Sequence, residues 1–155
     1  MRFIFVDRVT KLEKGKSIEA IKTFSLAEEF HRRHFGRVPL VPGVVLIESM
    51  AQALGWLINY SHDFKLMAIM SLLDGVNVSA RLRPGFAARV RAEIVSTSDS
   101  DSMGKAQIEA NGTVIASAKR VIYTHSYAVD PKDLVQWFRY CGGDPRVPPE
   151  ADRRR

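Results

Sequence analysis

The sequence predicts an α+β chain in which an antiparallel sheet curls around one long central helix. Three observations predict it. Between Val44 and Tyr60 the only charged residue is Glu48, and a helix that is apolar all round belongs at the centre of a fold. In FAARVRAEIV (86–95), Phe86, Ala88, Val90, Ala92 and Ile94 share one face while Arg89, Arg91 and Glu93 share the other, the pattern of a sheet with one wet side. KAQIEA (105–110) and TVIASAKRVIY (113–123) flank Asn111-Gly112, a pair that readily adopts the positive φ angles of a two-residue hairpin turn. An apolar sheet face and an all-apolar helix bury each other when the sheet wraps the helix.

In chain order, FIFVDRV (3–9) is a short apolar opening segment, and KSIEAIKTF (16–24) alternates as a strand with Ile18, Ala20 and Phe24 on one face. A polar piece, SLAEEFHRRHF, leads to a Pro39-x-x-Pro42-Gly43 turn that launches the apolar helix. From Val44 to Tyr60 there are seventeen residues, or about 26 Å of helix. That is slightly short for a bilayer, and Glu48, Gln52 and Asn59 interrupt it, so it is expected inside protein and not across a membrane. LMAIMSLLDGVNV (66–78) is expected as a further strand, more buried than the others. The order is then strand, helix, and three or four antiparallel strands. Asp130 can cap a last helix, PKDLVQWFRY (about 130–140), with Pro131 at its first position. The remainder to residue 155 is expected to be a flexible tail. One domain is expected over 1–125, with 126–155 as a C-terminal extension.

Bulk properties narrow the function classes. Of the 155 residues, 46% are hydrophobic and 26% charged, ordinary for a globular domain that buries its own core. The net charge of +6 falls to +3 once Arg153, Arg154 and Arg155 are set aside (6 − 3 = 3), and no nucleic-acid-binding motif accompanies it. Nucleic acid is therefore not an expected partner. The lone cysteine, Cys141, cannot form an intrachain disulfide, and the four-residue apolar run at the N-terminus is too short for a secretory signal. A cytoplasmic location is expected. Nucleotide-binding and serine-hydrolase motifs are missing, and His31, His34, His62 and His125 show no metal-ligand spacing. No metal or cofactor is expected.

The stretch HRRHFGRVPLVPGVVLIESMAQ (31–52) carries the chemistry. Gly43 can open the helix, whose N-terminal N–H groups and partial positive charge stabilise negative charge developing on a bound oxygen. A loop histidine can serve as a base near neutral pH, and a desolvated glutamate on the helix can carry a proton. Together these are the parts for removing a proton next to a carbonyl and expelling a neighbouring hydroxyl as water. Taken singly, each has a plainer reading. A loop histidine is more often surface, and an early helical glutamate can simply interact with the dipole. Glu48, though, has no polar helix face to hold it, and an unpaired buried carboxylate is costly. His31, His62 and His125 are expected at the surface.

HFGRVPLVPGVVLIESMAQ resembles the signature of hot-dog-fold (3R)-hydroxyacyl-(acyl-carrier-protein) dehydratases, H-F-P-G-x-P-x-x-P-G-V-L-x-x-E-A-x-A-Q. His34, Phe35, Pro39, Pro42, Gly43, Val44, Glu48, Ala51 and Gln52 fall in register. FIFVDRV resembles the family's first strand, and LLDGVNVSARLRPG its I-D-x-x-x-F-x-x-P-V-x-P-G-D segment. The resemblance spans roughly residues 1–125. It implies a sheet-wrapped central helix in a homodimer with continuous sheets, able to assemble further, in which His34 of one subunit faces Glu48 of the other. The family's mechanism gives the C2 proton to His34, hydroxyl departure to Glu48 and the thioester carbonyl to the Gly43 N–H, with Phe35, Leu40 and Val44 against the substrate. A glutamate at this position marks the plain dehydratase, an aspartate the branch that also isomerises the double bond. Departures are Gly36 for proline, Arg37 for glycine, Val78 for phenylalanine, Arg81 for proline and Phe86 for aspartate; they bear on the chain length of the substrate and the efficiency of the site.

The expected partner is an acyl carrier protein bearing the acyl-phosphopantetheine substrate, with Arg32, Arg33 and Arg37 either steering its docking or forming a solvated basic loop. Two other functions fit the same fold: a thioesterase, which does not need the histidine, and a non-catalytic acyl-thioester-binding module. Trp137 and Phe138 can cover a tunnel or simply pack.

Overall fold

A computed structural model describes residues 4–33 and 38–144, without the side chains of Arg32 and Arg33. Strands β1 (Arg8–Glu13) and β2 (Ser17–Phe24) precede helix α1 (Gly43–Ser61), and β3 (Met67–Val78), β4 (Phe86–Thr97), β5 (Asp101–Ala110) and β6 (Thr113–Ser126) follow it. Helix α2 (Pro131–Tyr140) comes last. The six strands form one sheet in the order β1-β2-β4-β5-β6-β3, antiparallel at every pairing.

The expected wrapping is observed. Ala88, Val90 and Ala92 of β4 and Ala106, Ile108 and Ala110 of β5 are buried on the inner face, against Leu46, Met50, Leu54, Leu57 and Ile58 of α1. Alanine dominates the inner faces of β4 and β5, and small side chains let a strand approach a helix closely. Asn111 and Gly112 take φ of 51° and 77°, as the two-residue turn between β5 and β6 requires. Asp130 caps α2, its side chain accepting a bond from the Lys132 N–H at 2.8 Å.

Several expectations are corrected. The opening strand is displaced: Phe5 and Val6 are buried, yet the first ladder runs from Arg8 to Glu13, so two strands precede the helix and four follow it. β3 is the opposite of buried. It is an edge strand with Met67, Ile69, Met70, Leu72 and Val76 exposed, because among the described residues β6 is its one neighbouring strand. The helix is not enclosed on every side either. Its sheet-facing side is buried, whereas Val44 is 70% exposed and Glu48, Ala51, Gln52, Gly55 and Trp56 are half-buried.

The histidines are also placed differently from the expectation. His31 and His125 are buried. His125 Nδ1–H donates to the Asp99 carbonyl at 3.2 Å, which leaves Nε2 to accept from the Ser102 hydroxyl at 2.8 Å. Ser102 accepts in turn from Thr97 at 2.7 Å, and Thr97 from His62 Nε2–H at 3.1 Å. The His62 and His125 rings meet edge to face, 4.9 Å between centroids. Burial, followed by the neighbouring His125, holds the His62 pKa below its ordinary value against the opposing charges of Asp63 and Asp99.

A depressed histidine pKa means that the unfolded chain binds the proton more readily than the folded one. Stability is therefore full above about pH 6.5 and declines as pH falls from there through the folded-state pKa. Thermal melts between pH 7.5 and 5 should show this decline, and His62→Gln should flatten it.

Candidate active site

The site is built around α1. Pro42, in extended conformation, is the residue before the helix, and its carbonyl accepts the first helical bond, from the Val45 N–H at 3.0 Å. The Gly43 N–H thus sits in the opening turn, where a helix has no acceptor of its own. Two loop contacts fix this end. The Val41 N–H donates to the Leu82 carbonyl at 2.8 Å, and His31 Nδ1–H donates to the Leu40 carbonyl at 3.1 Å. A side chain at position 43 would come within 3.2 Å of Val78, so only glycine lets the β3 end close against the helix start without a shift.

In front of the helix start lies a cavity of about 710 Å³ whose walls include Val38, Leu40, Gly43, Val78, Arg81 and Arg83. Arg81 holds φ of 60°, a left-handed conformation that is uncommon for a side-chain-bearing residue. Leu40 and Gly43 therefore lie together, as the sequence predicts. Val44 is exposed beside them and lines neither this cavity nor the next. His34, Phe35 and Arg37 lie outside the described residues, as does the chain from 145 to 155. Arg32 and Arg33 end a short 3-10 helix, Glu29–Arg33.

Glu48 faces a second cavity of about 320 Å³, flanked by α1, the start of β3 and α2. The Gln52 amide nitrogen donates to Glu48 Oε1 at 2.8 Å, while Gln52 Oε1 accepts from the Phe5 backbone N–H at 2.8 Å. The Phe5 bond fixes which way the amide points: its oxygen is engaged, so its NH2 must face Glu48. Tyr123 reaches the same cavity and donates to the Ala51 carbonyl at 2.7 Å. Burial, and then the charge of Glu48, raise the Tyr123 pKa strongly, so the phenol stays protonated and neutral.

Sequence reasoning singled out Glu48 but missed Tyr123, which reads as one more inward residue of an alternating strand. Gln52 was legible only as a motif position, and Phe5 acts through its backbone, which leaves no trace in residue type. The structure brings Gly43 and Leu40 to one cavity and Glu48 to another. Five positions apart on a helix, Gly43 and Glu48 point about 140° away from each other.

The comparisons with known proteins agree with this architecture. The chain matches the FabA-like domain over residues 1–119. Over 121 residues it is 35% identical to the 3-hydroxyacyl-(acyl-carrier-protein) dehydratase FabZ of Thiobacillus denitrificans, covering 76% of this chain and 83% of that protein. With the FabZ of Thioalkalivibrio sulfidiphilus the identity is 32% over 123 residues, 75% of this chain and 83% of the other. Among solved structures, the dehydratase heterocomplex ApeI:P of Xenorhabdus doucetiae superposes with a TM-score of 0.65 at 15% identity, over 88% of this chain and 90% of that one. The fold is the hot-dog fold, a sheet wrapped around one helix. The chain belongs to the FabA-like domain family.

Replacing Gln52 with leucine strips Glu48 and the Phe5 N–H of a shared partner. We expect Gln52→Leu to lower the unfolding free energy by about 1–3 kcal/mol, measured by urea titration.

Proposed function

We propose that the protein dehydrates (3R)-hydroxyacyl thioesters to trans-2-enoyl thioesters in fatty-acid or related acyl-chain synthesis, the thioester being carried on acyl carrier protein. The observation that carries the reading is Glu48, fourteen positions after His34 in the family's register, held by Gln52 on the wall of a largely apolar cavity. The enzyme is a carbon–oxygen lyase of the hydro-lyase class.

In this reading, His34 takes the C2 proton and the Gly43 N–H donates to the thioester oxygen, where negative charge gathers. Glu48 gives its proton to the C3 hydroxyl, the C3–O bond breaks, and water leaves as the C2–C3 double bond forms. Gln52 occupies Oε1 of Glu48, which leaves Oε2 as the proton-carrying oxygen. Proton return from His34 to Glu48 resets the site. Phe35 and Leu40 supply apolar surface beside the thioester, whereas Val44, exposed at the helix start, lines neither cavity of the single chain.

A homodimer completes the site. β3 presents an unpaired edge with exposed Met70, Leu72 and Val76, and unpaired edges are rarely left bare. Joining two β3 edges makes the sheets continuous and sets Glu48 of one protomer opposite His34 and Gly43 of the other. That arrangement accounts for the two cavities of the single chain, each holding part of the machinery. Arg81 and Arg83 line the Gly43 cavity, and Arg32, Arg33 and Arg37 lie just upstream of it in sequence. These cations suit the phosphate of a phosphopantetheine arm or the acidic surface of its carrier. Among the described residues no helix is long and apolar enough to cross a membrane. The free, buried thiol of Cys141 suits a reducing compartment, and the cytoplasm is the compartment we infer.

Purified protein mixed with carrier-bound 3-hydroxybutyrate should generate enoyl-thioester absorbance. His34→Ala and Glu48→Gln should each lower kcat by about 10²–10⁴-fold. Release of free thiol without enoyl product would identify a thioesterase instead, and neither product would leave a binding module.

A further inference from the structure

Helix α2 lies outside the residues matched to the FabA-like domain, which end at 119, yet it is locked to the fold. Phe138 is fully buried, with its ring 5.4 Å from both Trp56 and Phe64 and 6.3 Å from Tyr60. Just past the helix, Gly142 takes φ of 72° and its carbonyl accepts from the Val9 N–H at 3.1 Å. A Cβ there would lie 2.5 Å from the Asp7 carbonyl oxygen, so the chain can cross β1 this closely only as glycine. α2 is therefore a fixed wall.

That wall faces the catalytic carboxylate. Glu48, Gln52, Gly55, Trp56 and Asn59 line the Glu48 cavity at helical spacing, which puts them on one stripe of α1 about 16 Å long. Opposite them stand Leu134 and Trp137, spaced to lie on one face of α2, and Cys141 just past its end. Burial pushes the Cys141 thiol pKa up, so it stays neutral and adds apolar surface. Gly55, midway along the stripe, contributes no side chain and keeps the groove open across from Tyr123.

We propose that α2 is the gauge for acyl-chain length, with Leu134 and Trp137 as specificity-determining residues along which the hydrocarbon tail of the substrate runs. The inference rests on the dehydratase reading and adds the substrate class to it. C–C bonds of about 1.5 Å advance an extended chain roughly 1.3 Å per carbon, so about a dozen carbons span the stripe. With the hydroxyl carbon, C3, at Glu48 and the tail toward Asn59, the 3-hydroxyacyl chains that fill it have about fourteen carbons, two of them ahead of the stripe.

The test compares kcat/KM for four-, eight-, twelve- and sixteen-carbon 3-hydroxyacyl carriers. Gly55→Leu, which plugs the groove, should lower the twelve-to-four-carbon ratio about tenfold or more. Trp137→Ala, at an exposed position whose loss the fold tolerates, should raise the sixteen-to-twelve-carbon ratio by a similar factor. Ratios within twofold of wild type for both variants would overturn the proposal. Should the wild type dehydrate none of these substrates, the dehydratase reading fails and a binding measurement decides this inference. The chain has two tryptophans, and both Trp56 and Trp137 line the cavity. Saturable quenching of their fluorescence by a terminally brominated twelve-carbon acyl pantetheine, abolished in Gly55→Leu, would sustain the gauge. Absence of quenching would overturn it.

Discussion

The Gln52 amide, clamped between the Phe5 backbone N–H and Glu48, is the interaction on which the site depends. A carboxylate on the central helix of a hot-dog fold has few polar neighbours, and without a fixed donor it would turn to solvent or disturb the packing. With its oxygen held by the Phe5 backbone N–H, the amide turns its NH2 toward Glu48. The N-terminal segment thus supports the candidate site through its backbone, without contributing a side chain. The same demand explains why residues before β1 are buried although they form no ladder: Phe5 and Val6 pack into the core, which keeps the Phe5 N–H in place.

A second constraint comes from topology. Six strands around one helix cover only part of its circumference, and the strand order leaves β3 at an open edge. The helix face that the sheet leaves uncovered carries Glu48, while the helix start carries Gly43, and the turn of the helix separates the two. In our reading, a chain with this arrangement holds only part of the site by itself. The exposed apolar side chains of β3 mark where the missing part arrives in our reading, and α2 shields the rest of the uncovered face through Phe138 and Leu134.

Much of this was legible in the sequence because it rests on local chemistry. The Asn111-Gly112 turn, the Asp130 cap with Pro131 after it, the period-two alternation of β4 and the helix start at Pro42-Gly43 each depend on residues adjacent in the chain. The errors have one common origin. MAIMSLLDGVNV in β3 is apolar enough to read as interior, because residue type alone does not separate an apolar edge strand from one buried by its own chain. Likewise His125 reads as a polar surface residue until β5 brings Ser102 beside it, and Tyr123 gains its place near Glu48 only through pairing and wrapping. Long-range placement, not residue type, decides those positions. The Gln52–Phe5 contact spans forty-seven residues and involves a backbone group, so no sequence pattern encodes it.

The central claim is that one working site draws its acid from one protomer and its base from another. Subunit mixing tests this most directly. His34→Ala and Glu48→Ala proteins, each inactive alone, are unfolded together and refolded as an equal mixture. Random pairing makes half the dimers mixed, and each of those holds one intact site of two, so activity should return to about a quarter of wild type. A mixture as inactive as its components, in a preparation shown to contain mixed dimers, would contradict the account.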